Sequence, residues 1–152
     1  MSETIRRATA ADLLALDALM RSVGAYHGDY APMLDGYVMT PEQLERDLFY
    51  VAEADGRPLG FYSLVIEGEP ELDLMFVADS TQGTGLGARL FQHMADQARA
   101  LGIDAVKIVS NPPAEGFYRR MGAERVGTKR PKGRVTWTQP ILYLRLAPTS
   151  TP

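Results

Sequence analysis

The sequence contains no cysteine among its 152 residues, which excludes disulfides, thiolate metal sites and a cysteine nucleophile. Only two histidines, His27 and His93, are present, too few for a histidine-rich metal centre. No apolar run approaches the roughly 20 residues of a membrane-spanning helix, and the first residues lack the apolar core of a secretory signal. We therefore expect a cytoplasmic protein that binds no metal ion and does not enter a membrane.

Positive charge is also scarce. The 16 Lys and Arg residues are outnumbered by 19 Asp and Glu, for a net charge of −3, so nucleic acid is not an expected partner. The one basic run, residues 129–134, is interpreted as a solvated loop; the alternative is a clamp on a cofactor phosphate or an anionic substrate. With 45% hydrophobic residues the chain can bury an ordinary core, and we expect a single domain over residues 1–152.

Hydrophobic periodicity and turn residues predict the element order β-α-α-β-β-β-α-β-α-β-β. Asp55-Gly56-Arg57 is typical of a hairpin turn, and Thr40 followed by Pro41 indicates a helix N-terminus. Residues 24–39, rich in Gly, Asp, Tyr and Pro, predict a long irregular connection of the kind that often carries function. A predicted strand over residues 72–77 precedes a long helix, whose apolar face is expected to contain Leu86, Leu90, Met94 and Leu101.

A glycine-rich turn joins that strand to the long helix. Glycines let backbone N–H groups approach an anion closely, and a helix N-terminus adds partial positive charge, so the segment predicts a phosphorylated ligand. Gly83, Gly85 and Gly87 fall at every second position, which does not fit the dinucleotide pattern G-x-G-x-x-G. Gly87 is followed by Ala88 and Arg89 rather than by Lys and Ser or Thr, which excludes a P-loop.

Two motifs together indicate a family. Gln82, Gly85 and Gly87 match Q/R-x-x-G-x-G/A, with a valine five residues before the glutamine. Residues 111–122 match N-x-x-A-x-x-F-Y-x-x-x-G at the expected distance. In this pair of motifs the chain resembles the GNAT superfamily of N-acetyltransferases, in detail over its C-terminal half. It departs from the family pattern at Asp79, which stands in the usual place of a proline.

The resemblance implies an α/β fold with a mixed central sheet of about seven strands, splayed near the middle and flanked by about four helices. It also implies transfer of an acetyl group from acetyl-coenzyme A to a primary amine of a small molecule, by direct attack in a ternary complex, with coenzyme A as product. A peptide or protein amine is the alternative acceptor. A module that senses acyl-coenzyme A without catalysis is the alternative from another class, and a homodimer is a further expectation.

The cofactor contacts are implied by the same motifs. Backbone N–H groups of the glycine loop are expected to hold the pyrophosphate, and two residues of the preceding strand to pair with the pantetheine arm. Asn111 and Phe117 are expected to line the other side of the cofactor, although an asparagine before a proline is also an ordinary helix cap. The remaining predicted contacts are Phe76, Val77, Gln82, Gly83, Thr84, Gly85, Leu86, Gly87 and Ala88.

Acyl transfer from a thioester to an amine needs an unprotonated nitrogen, although an alkyl ammonium has a pKa near ~10, and a stabilised leaving thiolate. The resemblance assigns protonation of the sulfur to Tyr118, whose ring would otherwise only pack. Strand alternation places Glu71 and Asp73 on one face. Asp73, at the family's acid position, is the first candidate for the base; Glu71 is the second and could equally be an exposed residue at the start of the strand.

The acceptor is expected to lie against the first two helices and their connection. Tyr26, His27 and Tyr30 are the candidate contacts, because aromatic side chains can stack on a cation or a planar group. The alternative is that these residues simply pack beneath a long loop. His93 and Trp137 are interpreted as structural.

Overall fold

The computed structural model describes residues 3–147 and confirms the predicted order of elements. Short 3-10 turns lie between several of them. The strands and α-helices, in chain order, are β1 (Thr4–Arg7), α1 (Leu13–Ser22), α2 (Pro41–Arg46), β2 (Leu48–Ala54), β3 (Arg57–Val65), β4 (Glu71–Val77), α3 (Leu86–Ala100), β5 (Ala105–Val109), α4 (Glu115–Arg120), β6 (Glu124–Lys129) and β7 (Gln139–Arg145).

All seven strands form one mixed sheet in the order β1-β2-β3-β4-β5-β7-β6. The pair β4 and β5 is parallel, whereas the other neighbours are antiparallel. These two strands meet at a single register pair, Glu71 with Lys107, and then diverge. The sheet is therefore splayed at its centre, as expected, and the edge of β4 that faces β5 is left for another partner.

The hairpin between β2 and β3 forms where the turn residues predict it. Asp55 and Gly56 have φ of 54° and 75°, so both central residues are left-handed, as a type I′ turn requires.

Helix α3 covers one face of the sheet with an apolar stripe. Buried side chains such as Leu90 and Met94 pack there against Tyr62 and Ile108, and each fully buried large apolar side chain contributes roughly 1.5–3 kcal/mol. The helix lies so close that a Cβ atom at Gly60 would stand 2.9 Å from Leu90 Cδ1. Leu101 does not belong to the stripe, contrary to expectation: the helix ends at Ala100, and Leu101 is 55% exposed.

The opposite face is covered by α1, α2 and the connection between them, around a second cluster that contains Phe49, Phe61 and Phe76. The connection is more regular than predicted, since it forms 3-10 turns at Gly24–Tyr26 and Gly28–Leu34. Arg21 fastens it by donating to the carbonyls of Leu34 and Tyr37. The helix start at Thr40 is confirmed, because its Oγ1 accepts from the Gln43 N–H at 3.2 Å.

Each helix within residues 3–147 is too short or too polar to cross a membrane.

Candidate active site

Two adjoining cavities open where β4 and β5 diverge. The larger has a volume of about 590 Å³ and runs to the glycine loop, and the smaller, about 160 Å³, lies beneath the α1–α2 connection. A ligand in one cavity would meet a ligand in the other at the residues that line both. Those shared residues are Tyr26, Met75, Phe76, Asn111, Ala114 and Tyr118.

The glycine loop forms one end of the larger cavity. Gly83 and Gly85 have φ of 84° and 85°, a conformation that glycine adopts without strain. Gly85 is also the N-cap of α3, so the free N–H groups of the first helical turn begin here, as an anion site requires. Arg120 lines the same cavity and adds positive charge. The sequence motif did not single out Arg120, because it lies outside the matched positions.

Most predicted cofactor residues line the larger cavity: Phe76, Val77, Gln82, Gly83, Gly85, Leu86, Gly87, Ala88, Asn111 and Phe117. Thr84 is the exception, since its hydroxyl donates to the Thr81 carbonyl and it is not among the lining residues. The free edge of β4 and the left-handed glycines together fit a cofactor with an amide-containing arm and a diphosphate.

Side chains outside the cavity hold the loop in place. Arg89 donates from Nη1 to the Thr84 carbonyl at 3.1 Å and pairs with Glu3 at 2.6 Å. The carboxylate of Asp79 accepts from the Gly24 N–H at 3.1 Å and from Gln82 Nε2 at 3.3 Å. Asp79 therefore ties the loop to the α1–α2 connection and does not line the cavity.

Tyr118 lines both cavities. The centroid of its ring lies 5.3 Å from the ring centroid of Phe117 and 6.0 Å from that of Phe91. Burial, and then the neighbouring Tyr26, raises the pKa of the Tyr118 phenol, so it stays protonated at neutral pH and can act as a donor. Other tyrosine hydroxyls are bound to side chains, such as that of Tyr50 to Gln97; no such bond fixes the Tyr118 hydroxyl within residues 3–147.

The two predicted acids differ in position. Asp73 lines the smaller cavity and is exposed to solvent. Partial desolvation, followed by the charge of Asp47, raises the pKa of its carboxyl against the opposing effect of Arg46. Glu71 lies on the same strand face but lines neither cavity. Burial and then Asp73 raise the pKa of Glu71. The geometry therefore favours Asp73 over Glu71 for a role at the junction of the cavities.

Asn111 is held by residues distant in the sequence. Its Oδ1 accepts from Trp137 Nε1 and from Gln139 Nε2, both at 3.0 Å, and its Nδ2 donates to the Met33 sulfur at 3.2 Å. Because two donors face Oδ1, the orientation of the amide is fixed, with Nδ2 on the other side. The side chain does not cap the following turn, so helix capping is not the reason for an asparagine here.

The three predicted acceptor residues are placed differently. Tyr26 lines both cavities, and Tyr30 lines the larger one while packing edge-on against Trp137 at 5.0 Å. His27 lines neither cavity; its Nε2 lies 3.1 Å from the Arg21 carbonyl oxygen, so its position gives no support to an acceptor contact. The smaller cavity is also lined by residues that the sequence did not single out, including Met33, Leu34 and Ser110.

Comparison with known proteins gives a consistent result. A family model described as an acetyltransferase (GNAT) domain matches residues 34–140, which include β4, the glycine loop and α4. Among solved structures, a PaiA N-acetyltransferase from Thermoplasma acidophilum in complex with coenzyme A superposes with a TM-score of 0.76 at 21% identity, covering 95% of this chain and 99% of that one. At this identity the likeness concerns the fold alone.

Two curated relatives are similar in sequence. An amino-acid acetyltransferase of Ralstonia nicotianae is 33% identical over 125 residues, 78% of this chain. An IAA acetyltransferase of Azospirillum brasilense is 28% identical over 127 residues, 78% of this chain and 83% of its own length. The chain spans only 26% of the length of the Ralstonia protein.

Proposed function

The chain belongs to the GNAT acetyltransferase family, and on this basis we propose that it transfers an acetyl group from acetyl-coenzyme A to a primary amine of a small molecule. The observation that carries the proposal is the junction of the two cavities, where Tyr118 lines both and Asp73 lines the smaller one. A larger cavity with a diphosphate cradle and a smaller one with a carboxylate suit a cofactor and an amine that react where they meet.

The larger cavity would hold the cofactor. Backbone N–H groups from Gln82 to Ala88 would bind the diphosphate, the free edge of β4 at Phe76 and Val77 would pair with the amide-containing arm, and Arg120 would add charge at the same cavity. When bound, acetyl-coenzyme A supplies a thioester as the acetyl donor.

Asp73 and Tyr118 would transfer the protons of the reaction. Asp73 accepts a proton from the acceptor ammonium, directly or through water, so that the nitrogen has a free electron pair. As the carbon–nitrogen bond forms and the carbon–sulfur bond breaks, Tyr118 would give its hydroxyl proton to the sulfur. Tyr118 would then be reprotonated, through solvent, by the second proton that the acceptor nitrogen loses. Asn111 lines both cavities, as Tyr118 does, and its Nδ2 has one N–H left to donate besides the one that binds the Met33 sulfur.

The acceptor has three candidates. The name of the Ralstonia relative makes an amino acid one of them, and a peptide amine is another. The volume of the smaller cavity, about 160 Å³, favours a small molecule. We also propose that residues 1–152 act as one domain; the cytoplasmic location and the homodimer stay predictions from the sequence.

Tyr118→Phe tests the proposal. Loss of the proton donor is expected to reduce kcat by at least about 100-fold, while KM for acetyl-coenzyme A changes less than about twofold. Thiol release with a panel of primary amines measures both. Tyr50→Phe is the matched control, because its hydroxyl bonds Gln97 away from the cavities and its loss should leave kcat unchanged.

A Tyr118→Phe enzyme with undiminished kcat would remove this role from Tyr118. Calorimetric binding of acetyl-coenzyme A to the unaltered protein, without thiol release on any amine, would instead support the acyl-coenzyme A sensor.

A further inference from the structure

The smaller cavity has negative charge in its lining. Asp73 lines it, and its other polar lining groups are neutral; none of its lining residues within 3–147 is Lys, Arg or His. The basic residue of the site, Arg120, lines the larger cavity only. Aromatic side chains, including those of Tyr26 and Tyr37, also line the smaller cavity, and aromatic rings can attract cations.

Three cations that lie around the smaller cavity are engaged elsewhere. Arg21 pairs with Asp17 at 3.2 Å and donates to two carbonyls of the α1–α2 connection. Arg46 pairs with Asp47 at 3.1 Å, and Lys107 lies 3.7 Å from Glu69.

Two further cations lie on this side, Lys129, whose charge acts on Glu71, and Arg134; neither lines the smaller cavity. Arg134 is exposed, and its Nη1 lies 3.5 Å from where a Cβ of Gly36 would stand.

Two neutral hydrogen-bond donors of the smaller cavity already donate to acceptors within the protein. Ser110 Oγ donates to the Asn111 carbonyl at 2.8 Å, and Asn111 Nδ2 donates to the Met33 sulfur. A carboxylate brought into this cavity would lose part of its hydration, find no counter-ion among the lining residues and stand close to Asp73, which is exposed to solvent. Burial of such an uncompensated charge is costly, whereas an ammonium would gain from the same surroundings.

Resting on the proposed function, we propose that the acceptor is a primary amine without a carboxylate, and that the smaller cavity selects such amines against the amino acids from which they differ by that one group. Asp73 then has two effects: it accepts the proton of the acceptor, and it excludes the anionic analogue.

Matched pairs test this selection directly. Phenethylamine with phenylalanine, tyramine with tyrosine, histamine with histidine and agmatine with arginine differ only in the carboxylate. Thiol release from acetyl-coenzyme A should give a kcat/KM for the better amines at least about 100-fold above that for their amino acids, the scale expected for an uncompensated like charge. Equal values, or a preference for the amino acid, would overturn the inference while leaving acetyl transfer to amines in place.

Methyl esters separate charge from size. Phenylalanine methyl ester is larger than phenylalanine but lacks its negative charge, so it should recover most of the kcat/KM of phenethylamine. An ester as poor as the free amino acid would show that bulk, not charge, sets the preference, and would overturn the inference.

Two variants locate the effect. Asp73→Asn should lower kcat/KM for every compound. This general loss cancels in the ratio of kcat/KM for an amine to that for its amino acid, and the ratio should fall at least about tenfold. Arg134→Ala should leave the ratio within about twofold. A selective loss of amino-acid acetylation in Arg134→Ala would identify Arg134 as a carboxylate contact and contradict the inference. Absence of thiol release on every compound, with acetyl-coenzyme A still bound, would refute the proposed function itself and the inference with it.

Discussion

Asp73 occupies a position that is slightly unfavourable to the fold on its own. Partial desolvation and the charge of Asp47 raise the pKa of its carboxyl, so the folded chain holds the proton more strongly than the unfolded chain does. The stability that this group contributes is therefore present at low pH. It is lost as the pH rises from the ordinary pKa of an aspartate through the raised pKa of Asp73. At neutral pH the ionised carboxylate destabilises the folded state only slightly, because Asp73 is exposed and solvent screens its charge.

Asp73→Asn should consequently reduce activity and raise Tm slightly at pH 7. The gain in Tm should shrink as pH falls toward the ordinary pKa of an aspartate, because the wild-type carboxyl is then protonated. In the wild type, kcat/KM should fall on the acid side with a midpoint above that ordinary value. Thermal melts and rate profiles from pH 5 to 8 measure this, with Asp104→Asn as control, because Asp104 is also exposed but lines neither cavity. A variant that loses stability, or that keeps the acid limb, would contradict the assignment.

Trp137 acts on the site through Asn111. Trp137→Phe keeps a ring against Tyr30 but removes the donor to Asn111 Oδ1, so the amide is less firmly oriented. We expect KM for acetyl-coenzyme A to rise roughly 3- to 10-fold, corresponding to one lost hydrogen bond of about 1 kcal/mol, with a smaller change in kcat. The control is a double-mutant cycle: in an Asn111→Ala background, Trp137→Phe should have no further effect on KM. Additive effects would show that Trp137 acts independently of Asn111.

At the residue scale, the candidate site residues that could be predicted from the sequence lie in short continuous segments. Tyr118 and the glycine loop lie within motifs of a dozen residues. Strand alternation places Glu71 and Asp73 on one face, and the family resemblance singles out Asp73. The partners of Asn111 could not be predicted, because Trp137 and Gln139 lie 26 and 28 residues away and reach it only since β7 packs beside β5. The position of the His27 side chain could not be predicted for a related reason, because it depends on the 3-10 turn that precedes it.

Helix α3 has a left-handed glycine next to each end, and only one end faces the larger cavity. Gly85 has φ of 85°, and a Cβ there would lie 3.1 Å from Arg89 Nη1, whereas Gly102 has φ of 76° with open space around it. Alanine at either position should lower the free energy of unfolding by about 1–2 kcal/mol, because an L-residue is strained in this conformation. Gly85→Ala alone should weaken acetyl-coenzyme A binding, by at least about fivefold. Calorimetry and denaturant melts compare the two; equal loss of binding would show a general effect of instability.

The difference between local patterns and tertiary contacts explains how far the elements could be predicted. Strand β4 and the β2–β3 turn were predicted closely, because alternation and turn chemistry are local. Residues 24–39 lack a period, and their 3-10 turns are fixed by tertiary contacts from Arg21 and Asp79, which no local pattern contains. The smaller cavity, which lies beneath this connection, could not be predicted for that reason.

On the scale of the whole molecule, β1 to β4 and β5 to β7 form two parts of one sheet that meet at a single register pair. A cofactor seated between them would bridge strands that the chain itself leaves apart. Binding only to the folded state stabilises it by RT ln(1 + [L]/Kd), about 2.7 kcal/mol at a hundredfold excess over Kd. The gain should be concentrated where the sheet is open, since that is where backbone groups acquire a partner.

Hydrogen exchange measures where that gain falls. Without ligand, amides in residues 73–77 that face β5 lie beyond the Glu71–Lys107 pair and lack a strand partner. They should exchange faster than those of the β2–β3 hairpin, which is paired on both sides. Saturation with coenzyme A should slow exchange in residues 73–77 and 82–88 by at least about tenfold and leave the hairpin nearly unchanged. Coenzyme A lacks the acetyl group, so protection would report binding separately from chemistry. Protection that spared β4 and the glycine loop would place the cofactor outside the splayed centre, and the roles of Tyr118 and Asp73 would then have no common site.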